Sequence, residues 1–284
     1  MRCAAKTNLF LKVTGKRPDG YHLLQTLFLP LPGVADELTL RDGAPGVRCS
    51  SGNVLFPDNL VCRAAQLYAE TAGIAPAWNF ILEKNIPIAA GLGGGSSDAA
   101  GALKLLNERY GCFSAEELAA MALKLGADVP FFLTPRPAWA SGIGEDFRYL
   151  APLKEMPPVL VVNPAFPVSA KWAYTHLAPE RITPASPKSM ERMEQALIAA
   201  DWEGVAREVH NDLAPALYRK FPLLVLLRDF LTAHGALCAE VSGSGSSLFA
   251  IGSDQAACHR LAEALRSDFE GGSIRVFESC TVNC

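Results

Sequence analysis

The stretch PIAAGLGGGSSDAAGALKLL, from Pro87 to Leu106, places four glycines and two serines between Gly91 and Ser97, directly before an alanine- and leucine-rich segment. Glycine costs backbone entropy, and one glycine would be enough for a tight turn. Successive backbone N–H groups in a loop of this kind form a concavity that binds anions, and the following helix adds the positive end of its dipole. The stretch therefore predicts a phosphate-binding loop between a strand and a helix.

Two common phosphate motifs do not fit this loop. A Walker A loop requires a lysine after its last glycine, whereas Ser96 follows Gly95 here. A dinucleotide fingerprint requires G-x-G-x-x-G/A, but Gly91-Leu92-Gly93 leads to Ser96. The loop is therefore of another nucleotide-binding type, and an NAD-dependent enzyme is a weak alternative.

Composition limits the class of protein and its partners. The chain has 284 residues and a formal net charge of −3, so two domains are favoured, and neither nucleic acid nor a membrane is an expected partner. The eight cysteines and five histidines show no metal-ligand spacing, and the start MRCAAKTNLFLKV lacks the apolar core of a signal peptide. We expect a cytoplasmic protein with reduced thiols, a small-molecule substrate, and a monomeric or homodimeric state.

The first half of the chain mixes strands and helices. Residues 6–13 alternate, which predicts a strand with Lys6, Asn8, Phe10 and Lys12 on its polar face. The turn RPDGYH leads to a return strand, LLQTLFLPL, and then to separate short strands in ELTLR and GVRCS. Asp58 is the expected N-cap of the next helix, and Ser114–Glu117 form an expected capping box.

The second half of the chain has a different order of predicted strands and helices. Its order is strand, helix-rich insert, strand, strand, helix, strand, which matches a ferredoxin-like layout. The helices are expected at about residues 188–200, 202–210, 222–233 and 254–269. A proline-rich zone at 151–159 predicts a junction. We therefore expect an α+β protein with domains at 1–153 and 154–284.

Three further features are ambiguous when each is taken alone. Lys6 on a strand is ordinarily solvated, and Asp128, just past a helix end, is ordinarily a cap or turn residue. A second glycine–serine cluster, SGSGSS at 242–247, fits a flexible hairpin as well as it fits the far side of a phosphate site. None of the three indicates a function without its neighbours.

Several motifs together resemble the GHMP small-molecule kinases. The glycine loop at 87–97 is similar to the phosphate loop of that family, and AAKTNLFLKVTGKRPDGYH is similar to the opening of the branch that phosphorylates 4-diphosphocytidyl-2-C-methyl-D-erythritol. The segments LGADVPFFL, ASGIGE, NDL and VSGSGSSLFAIG match in order, so the resemblance runs from Lys6 to Gly252. It implies a two-domain fold, with an N-terminal mixed α/β domain that carries the phosphate loop and a C-terminal ferredoxin-like domain.

The resemblance implies a phosphoryl donor, a catalytic pair and a metal. Lys6 and Asp128 are implied as the catalytic pair, in which Asp128 orients and deprotonates the substrate 2-hydroxyl and Lys6 stabilises developing charge. Mg²⁺ is implied as a cofactor, with Ser97 as a candidate ligand. The implied ATP-binding residues are Pro87, Ile88, Ala89, Ala90, Gly91, Leu92, Gly93, Gly94, Gly95, Ser96, Ser97 and, near the adenine, Asn59.

The resemblance also implies a cleft for a cytidyl substrate. Tyr21 and His22 would bind the cytosine, Tyr174 would complete an aromatic sandwich, and Asn8 would lie near the substrate. The implied reaction yields ADP and the 2-phosphate in the non-mevalonate route to isoprenoid precursors. The alternatives are another GHMP kinase, of the mevalonate or homoserine type, and a nucleotide sensor without catalysis.

The chain departs from the family pattern at a few positions. Ala170 stands where threonine is frequent, and Ser246-Ser247 replace a more usual Gly-Thr or Pro-Thr pair. Asp98 stands where an asparagine can follow the loop. These departures affect details of substrate contact and leave the implied reaction unchanged.

Overall fold

The computed structural model describes residues 1–49, 59–270 and 272–279. The chain forms two compact units, and strands β1 and β2 run through both of them. The first unit comprises Met1–Ala5, Val34–Ile88 and Gly93–Pro135. The second unit comprises Lys6–Gly33, Ala89–Leu92 and Arg136–Cys284.

The described residues alternate between strands and helices in an α+β arrangement. The strands are β1 (Arg2–Lys16), β2 (His22–Asp42), β3 (Gly46–Cys49), β4 (Trp78–Glu83), β5 (Ala138–Ser141), β6 (Asp146–Tyr149), β7 (Val159–Asn163), β8 (His210–Asn211), β9 (Cys238–Val241), β10 (Leu248–Ile251) and β11 (Arg275–Ser279). The helices are α1 (Leu60–Ala72), α2 (Gly94–Tyr110), α3 (Ala115–Leu125), α4 (Ala170–Thr175), α5 (Pro187–Ala199), α6 (Trp202–Glu208), α7 (Ala214–Lys220), α8 (Pro222–Ala233) and α9 (Gln255–Asp268). Short 3₁₀ turns span Pro130–Leu133 and Pro179–Arg181.

The first unit combines a small sheet with three helices. The second half of β2 pairs antiparallel with β4, and β3 pairs parallel with β4. The expected capping box at Ser114 and Glu117 is confirmed. The expected N-cap Asp58 lies outside the described residues, and the cap of α1 is the next residue, Asn59, whose side chain accepts a hydrogen bond of 2.8 Å from the Val61 amide.

The second unit contains the ferredoxin-like sheet. Its strand order is β11-β7-β10-β9, and every neighbouring pair is antiparallel. With α9 between β10 and β11, this is the split arrangement that the sequence predicted. Helices α8 and α9 bury leucines such as Leu227 and Leu261 in the same core as Leu160 and Ala250 of the sheet. Helices α4 and α7, at about six and seven residues, were not predicted.

Two expectations about the N-terminal strands are wrong. Strand β2 is one continuous strand from His22 to Asp42, whereas the sequence suggested two separate strands. The polar face of β1 is not solvated, because Lys6, Asn8 and Phe10 are all buried. In the second unit β1 lies between β2 and β8 in the sheet, so both of its edges are paired. Both of its faces are covered as well, because alternating residues such as Asn8 and Leu9 are buried.

Among the described residues, no helix is both long enough and apolar enough to cross a bilayer.

Candidate active site

The glycine-rich loop has an alternating backbone that favours anion binding. Residues Ala89, Gly91 and Gly93 have φ values of 52°, 78° and 70°, and Gly93 is the residue from which α2 begins. Alternation between left-handed and ordinary residues turns successive N–H groups toward one side of the chain. The predicted strand–loop–helix arrangement is confirmed, since β4 precedes the loop and α2 follows it.

Four carbonyl groups of the loop, which belong to the second unit, are held by other residues of that unit. Four successive carbonyl oxygens, from Ala89 to Leu92, each accept a hydrogen bond from a different donor. The donors are the Val168 amide to Ala89 at 3.1 Å, the Ser247 amide to Ala90 at 3.1 Å, the Ser242 hydroxyl to Gly91 at 2.9 Å and the Lys6 amide to Leu92 at 3.0 Å. Because the carbonyls are anchored in the protein, the loop can direct its N–H groups outward toward a ligand.

The second glycine–serine cluster packs directly against this loop. A Cβ at Gly91 would overlap the carbonyl oxygen of Ser242 and lie 3.0 Å from the Gly245 nitrogen. The Ser242 hydroxyl also accepts a hydrogen bond of 3.0 Å from Thr7 Oγ1. The cluster is a hairpin connection between the antiparallel strands β9 and β10, and this connection packs against the loop.

Lys6 belongs to a buried polar chain at the same place. Its side chain is 5% exposed, and Nζ donates a 2.7 Å hydrogen bond to Asn8 Oδ1 and lies 4.9 Å from the centre of the Phe28 ring. Asn8 Nδ2 in turn donates to Thr26 Oγ1 at 2.8 Å. A Cβ at Gly243 would lie 3.0 Å from Asn8 Oδ1 and 3.7 Å from Lys6 Nζ, so the second cluster reaches the ammonium group.

Two asparagines that the sequence did not single out hold the second cluster in place. Asn211 Nδ2 donates to the carbonyls of Val241 and Gly243, both at 2.8 Å, and its Oδ1 accepts from the Leu213 amide at 2.9 Å. Asn163 Nδ2 donates to the Ser247 hydroxyl at 3.0 Å. Both asparagines are buried, so these bonds are costly to remove.

A buried carboxylate anchors the strand that carries Lys6. Asp212 accepts hydrogen bonds from the Val13 amide at 2.9 Å and from His210 Nε2 at 2.8 Å, and it forms an ion pair of 3.1 Å with Lys12. Burial alone would raise the pKa of Asp212, but these partners outweigh burial and lower it. Asp212 therefore stays ionised and ties β1 to the segment after β8.

The aromatic residues implied for a base-binding cleft form a stacked pair. The rings of His22 and Tyr174 lie 5.2 Å apart between centres, with an angle of 21° between their planes. The neighbouring Tyr21 side chain is 61% exposed. Burial lowers the pKa of His22, and the positive charge of Lys16 lowers it further, so the imidazole is neutral at pH 7.

In the first unit, the start of α2 lies beside a buried ion-pair cluster. Lys84 Nζ donates to Asp98 Oδ2 at 2.8 Å and also contacts Asp36 Oδ2. Asp36 Oδ1 accepts from the amides of Asn85 at 2.6 Å and Ile86 at 2.8 Å, the two residues before Pro87. The cluster therefore connects the residues that enter the loop with the N-terminal part of α2, at its fifth residue.

Burial and the charges of the neighbouring residues both shift the pKa values of this cluster. Burial raises the pKa of Asp98 to about 7, although the Lys84 ammonium opposes that shift and Asp36 adds to it. Burial alone would lower the pKa of Lys84, but Asp98 and Asp36 together raise it. Lys84 is therefore held as a cation between two carboxyl groups.

The remaining predicted residues of the first unit lie at element ends. Asp128 is half-buried in the turn between α3 and the 3₁₀ turn that starts at Pro130. Ser97 is 3% exposed, and its amide bonds to the Gly93 carbonyl at 2.9 Å within the first turn of α2. Asn59 caps α1, a role that the sequence had assigned to Asp58.

Comparison with known proteins identifies the family. The GHMP kinase N-terminal domain matches residues 59–135, and the GHMP kinase C-terminal domain matches residues 193–271. A relative from Syntrophotalea carbinolica is 39% identical over 93% of this chain and 92% of its own length, and one from Solidesulfovibrio magneticus is 40% identical over 87% and 86%. Both relatives are named 4-diphosphocytidyl-2-C-methyl-D-erythritol kinase. This chain belongs to that family of GHMP kinases.

Solved structures agree with this assignment. A crystal structure of 4-(cytidine 5′-diphospho)-2C-methyl-D-erythritol kinase superposes with a TM-score of 0.81 at 38% identity and covers 98% of both chains. A homoserine kinase from Cytophaga hutchinsonii has a TM-score of 0.70 at 19% identity, covering 98% of this chain and 96% of its own. The second likeness indicates the GHMP kinase fold alone.

Sequence reasoning missed several buried polar residues around the two glycine-rich segments. Asn211 and Asp36 bond main-chain groups, Asn163 and Lys84 bond side chains distant in sequence, and no local spacing marks such contacts. The one available signal was Asp98, a carboxylate placed among small residues at the start of a helix. A carboxylate in a buried position requires a cationic or hydrogen-bonding partner.

The contact at Gly91 leads to a direct test. Gly91→Ala would place a methyl group on the Ser242 carbonyl and would also strain a residue with φ of 78°. We expect a folded enzyme whose kcat/KM for ATP falls by about 100-fold, because the loop is displaced. Steady-state kinetics measure kcat/KM for ATP, and circular dichroism checks that the variant is folded.

Gly46→Ala is the matched control, since a Cβ built at Gly46 meets no atom of the described residues within 4 Å, apart from its chain neighbours. Wild-type kinetics are expected for that variant. A Gly91→Ala enzyme that binds ATP as well as the Gly46→Ala enzyme would contradict the role given to this close approach.

Proposed function

We propose that this chain transfers the γ-phosphoryl group of ATP to the 2-hydroxyl of 4-diphosphocytidyl-2-C-methyl-D-erythritol, producing ADP and the 2-phosphate. The observation that carries the proposal is the identity of 39% and 40% with relatives that bear this kinase name, over most of both chains. The stacked pair of His22 and Tyr174 supports a substrate with a flat base. The product would enter the non-mevalonate route to isoprenoid precursors.

In this proposal the loop from Pro87 to Ser97 binds the phosphates of ATP. The support is the alternating φ values at Ala89, Gly91 and Gly93 and the N-terminus of α2, where helix geometry leaves the first N–H groups without a carbonyl partner inside the helix. Asn59 lies near the adenine. Because phosphoryl transfer requires alignment and charge stabilisation more than covalent chemistry, a rigid cradle is the main contribution of the protein.

Asp128 and Lys6 are the proposed catalytic residues. Asp128 accepts the proton of the substrate 2-hydroxyl, whose oxygen forms the new bond to the γ-phosphorus as the bond to the β–γ bridging oxygen breaks. Lys6 stabilises the negative charge that develops on the transferred group. Its ammonium is suited to this because the hydrogen bond to Asn8 and the Phe28 ring hold it in one position.

The residues near the loop fit a magnesium ion. Mg²⁺ prefers oxygen ligands and takes several of them from the phosphates of a nucleotide, so the protein needs to supply few. Ser97, buried in the first turn of α2, offers a hydroxyl oxygen there, and we propose it as the ligand. The ion would neutralise charge on the phosphates.

The proposed substrate cleft uses residues of the second unit. His22 and Tyr174 receive the cytosine, Tyr21 offers a further exposed ring, and Asn8 contacts the methylerythritol end. Ala170 is exposed at the first position of α4, so the hydroxyl contact that a threonine would make there is replaced by another group or by water.

We further propose an N-terminal domain at 1–153 and a C-terminal domain at 154–284. We also propose that the protein is cytoplasmic, is a monomer or a homodimer, and has no nucleic-acid partner.

An activity screen tests the function. Purified protein with Mg²⁺ and ATP is incubated separately with 4-diphosphocytidyl-2-C-methyl-D-erythritol, mevalonate and homoserine, and ADP release is measured. We expect saturable turnover with the cytidyl substrate alone. Turnover with mevalonate or homoserine instead would support another kinase, and ATP binding without turnover would support a sensor.

The proposed base is tested by Asp128→Asn. This change keeps the shape of the side chain and removes the proton acceptor, so kcat is expected to fall by about 10²- to 10⁴-fold with ATP affinity nearly intact. Calorimetric titration with an ATP analogue measures the affinity. Asp229→Asn, an exposed change on α8, is the control, and a normal kcat in Asp128→Asn would remove this residue from the mechanism.

The proposed cytosine cleft is tested by Tyr174→Leu and Tyr21→Ala. Loss of stacking, at about 1–3 kcal/mol per base, is expected to raise the KM for the cytidyl substrate by about 5- to 150-fold without changing the KM for ATP. Tyr110→Leu, at the end of α2, is the control for loss of a partly exposed ring. An unchanged KM for the cytidyl substrate in both test variants would mean that the cytosine binds elsewhere in the protein.

A further inference from the structure

We propose that Asp36, Lys84 and Asp98 are positioning residues for the phosphate-binding loop. They hold its two ends, the residues before Pro87 and the start of α2, in a fixed position relative to each other. The inference deepens the proposed function and rests on it. None of the three is among the residues that the family resemblance implies for ATP, substrate or catalysis. Their contacts with the residues that flank the loop within the first unit, Asn85, Ile86 and the start of α2, suggest the role.

The entry of the loop is fixed by Asp36. Its Oδ1 accepts the amides of Asn85 and Ile86, at 2.6 and 2.8 Å, so one carboxylate oxygen sets the direction of the chain just before Pro87. Asp36 itself is completely buried in β2. A carboxylate that bonds two main-chain amides there makes charge-assisted bonds, which are shorter and stronger than neutral ones.

The exit of the loop is fixed by Lys84 through Asp98. Lys84 Nζ bonds the other oxygen of Asp36 and, at 2.8 Å, Oδ2 of Asp98, the fifth residue of α2. A Cβ built at Gly94 would lie only 3.2 Å from Lys84 Nζ and 2.9 Å from Ile86 Cγ2. The ammonium group therefore lies against the backbone at which the helix starts.

These contacts form a closed path around the loop. It runs from Ile86 through Asp36 and Lys84 to Asp98, and then back along the first turn of α2 to Gly94. Loss of any side chain in the path would let the two ends of the loop separate. The N–H groups of that first turn would then no longer converge on the phosphates, and small displacements of such groups cost much activity.

Asp98 has one oxygen that makes no hydrogen bond. Within the described part of the chain, Asp98 Oδ1 is buried without a partner, whereas Oδ2 receives the bond from Lys84. The positioning role needs only one acceptor atom at this residue. An asparagine supplies that acceptor and an alanine does not, which gives a matched pair of variants with opposite expectations.

The test compares Lys84→Met, Asp98→Ala and Asp98→Asn with the wild-type enzyme. For Lys84→Met and Asp98→Ala, kcat/KM for ATP is expected to fall by about 10- to 100-fold, while the KM for the cytidyl substrate changes little. Asp98→Asn is expected to keep near-normal ATP kinetics because Lys84 retains its acceptor. Titration with a non-hydrolysable ATP analogue measures binding independently of turnover.

Leu265→Ala, in the core below the ferredoxin-like sheet, is the control for a loss of stability remote from the loop. It is expected to lower the melting temperature with normal KM for ATP, which separates positioning from general destabilisation. If Lys84→Met fails to fold, the Asp98 pair carries the test alone.

The outcomes separate this inference from the proposed function. Wild-type protein that does not bind the ATP analogue would remove the proposed function and, with it, this inference. Normal ATP binding in wild type together with normal ATP kinetics in Asp98→Ala would overturn this inference alone. Equal losses in Asp98→Asn and Asp98→Ala would also overturn it, because the hydrogen bond to Lys84 would then not matter.

Discussion

The structure depends on the anchoring of four successive carbonyl groups, from Ala89 to Leu92. Each is bonded to a different part of the second unit: β1, the segment before α4, and both ends of the second glycine–serine cluster. A glycine-rich loop would otherwise sample many conformations, since glycine loses more backbone freedom on folding than other residues. Because hydrogen bonds fix these carbonyls, the backbone of the loop is already ordered before a ligand binds. Its N–H groups are therefore already oriented.

The polar residues around this loop are buried, and the hydrogen bonds among them explain why they are tolerated. Thr7 bonds Ser242, Asn211 bonds the backbone on both sides of Ser242, and Asn163 bonds Ser247. A buried polar network is stabilising only when its members have partners. The same requirement makes the network specific, since one missing partner would leave a costly unpaired group. The rigidity that phosphoryl transfer needs therefore comes from side chains that do not touch the reacting atoms.

The sequence predicted the local features well and the long-range ones poorly. The position of the loop between a strand and a helix, the capping box at Ser114 and the ferredoxin-like strand order are confirmed, because each has a signature within a few residues or in the order of elements. Lys6 was expected to be exposed by the ordinary behaviour of lysine, yet it is buried between Asn8 and Phe28. Contacts between distant segments, such as Lys84 with Asp36, could not be predicted from spacing in one sequence.

The central claim is that the loop from Pro87 to Ser97 binds the phosphates of the donor nucleotide. A crystal structure with a non-hydrolysable ATP analogue tests this most directly. The account predicts phosphate oxygens at about 3 Å from main-chain nitrogens of this loop, the ordinary N–H···O distance. A nucleotide bound with its phosphates directed away from these nitrogens would contradict it.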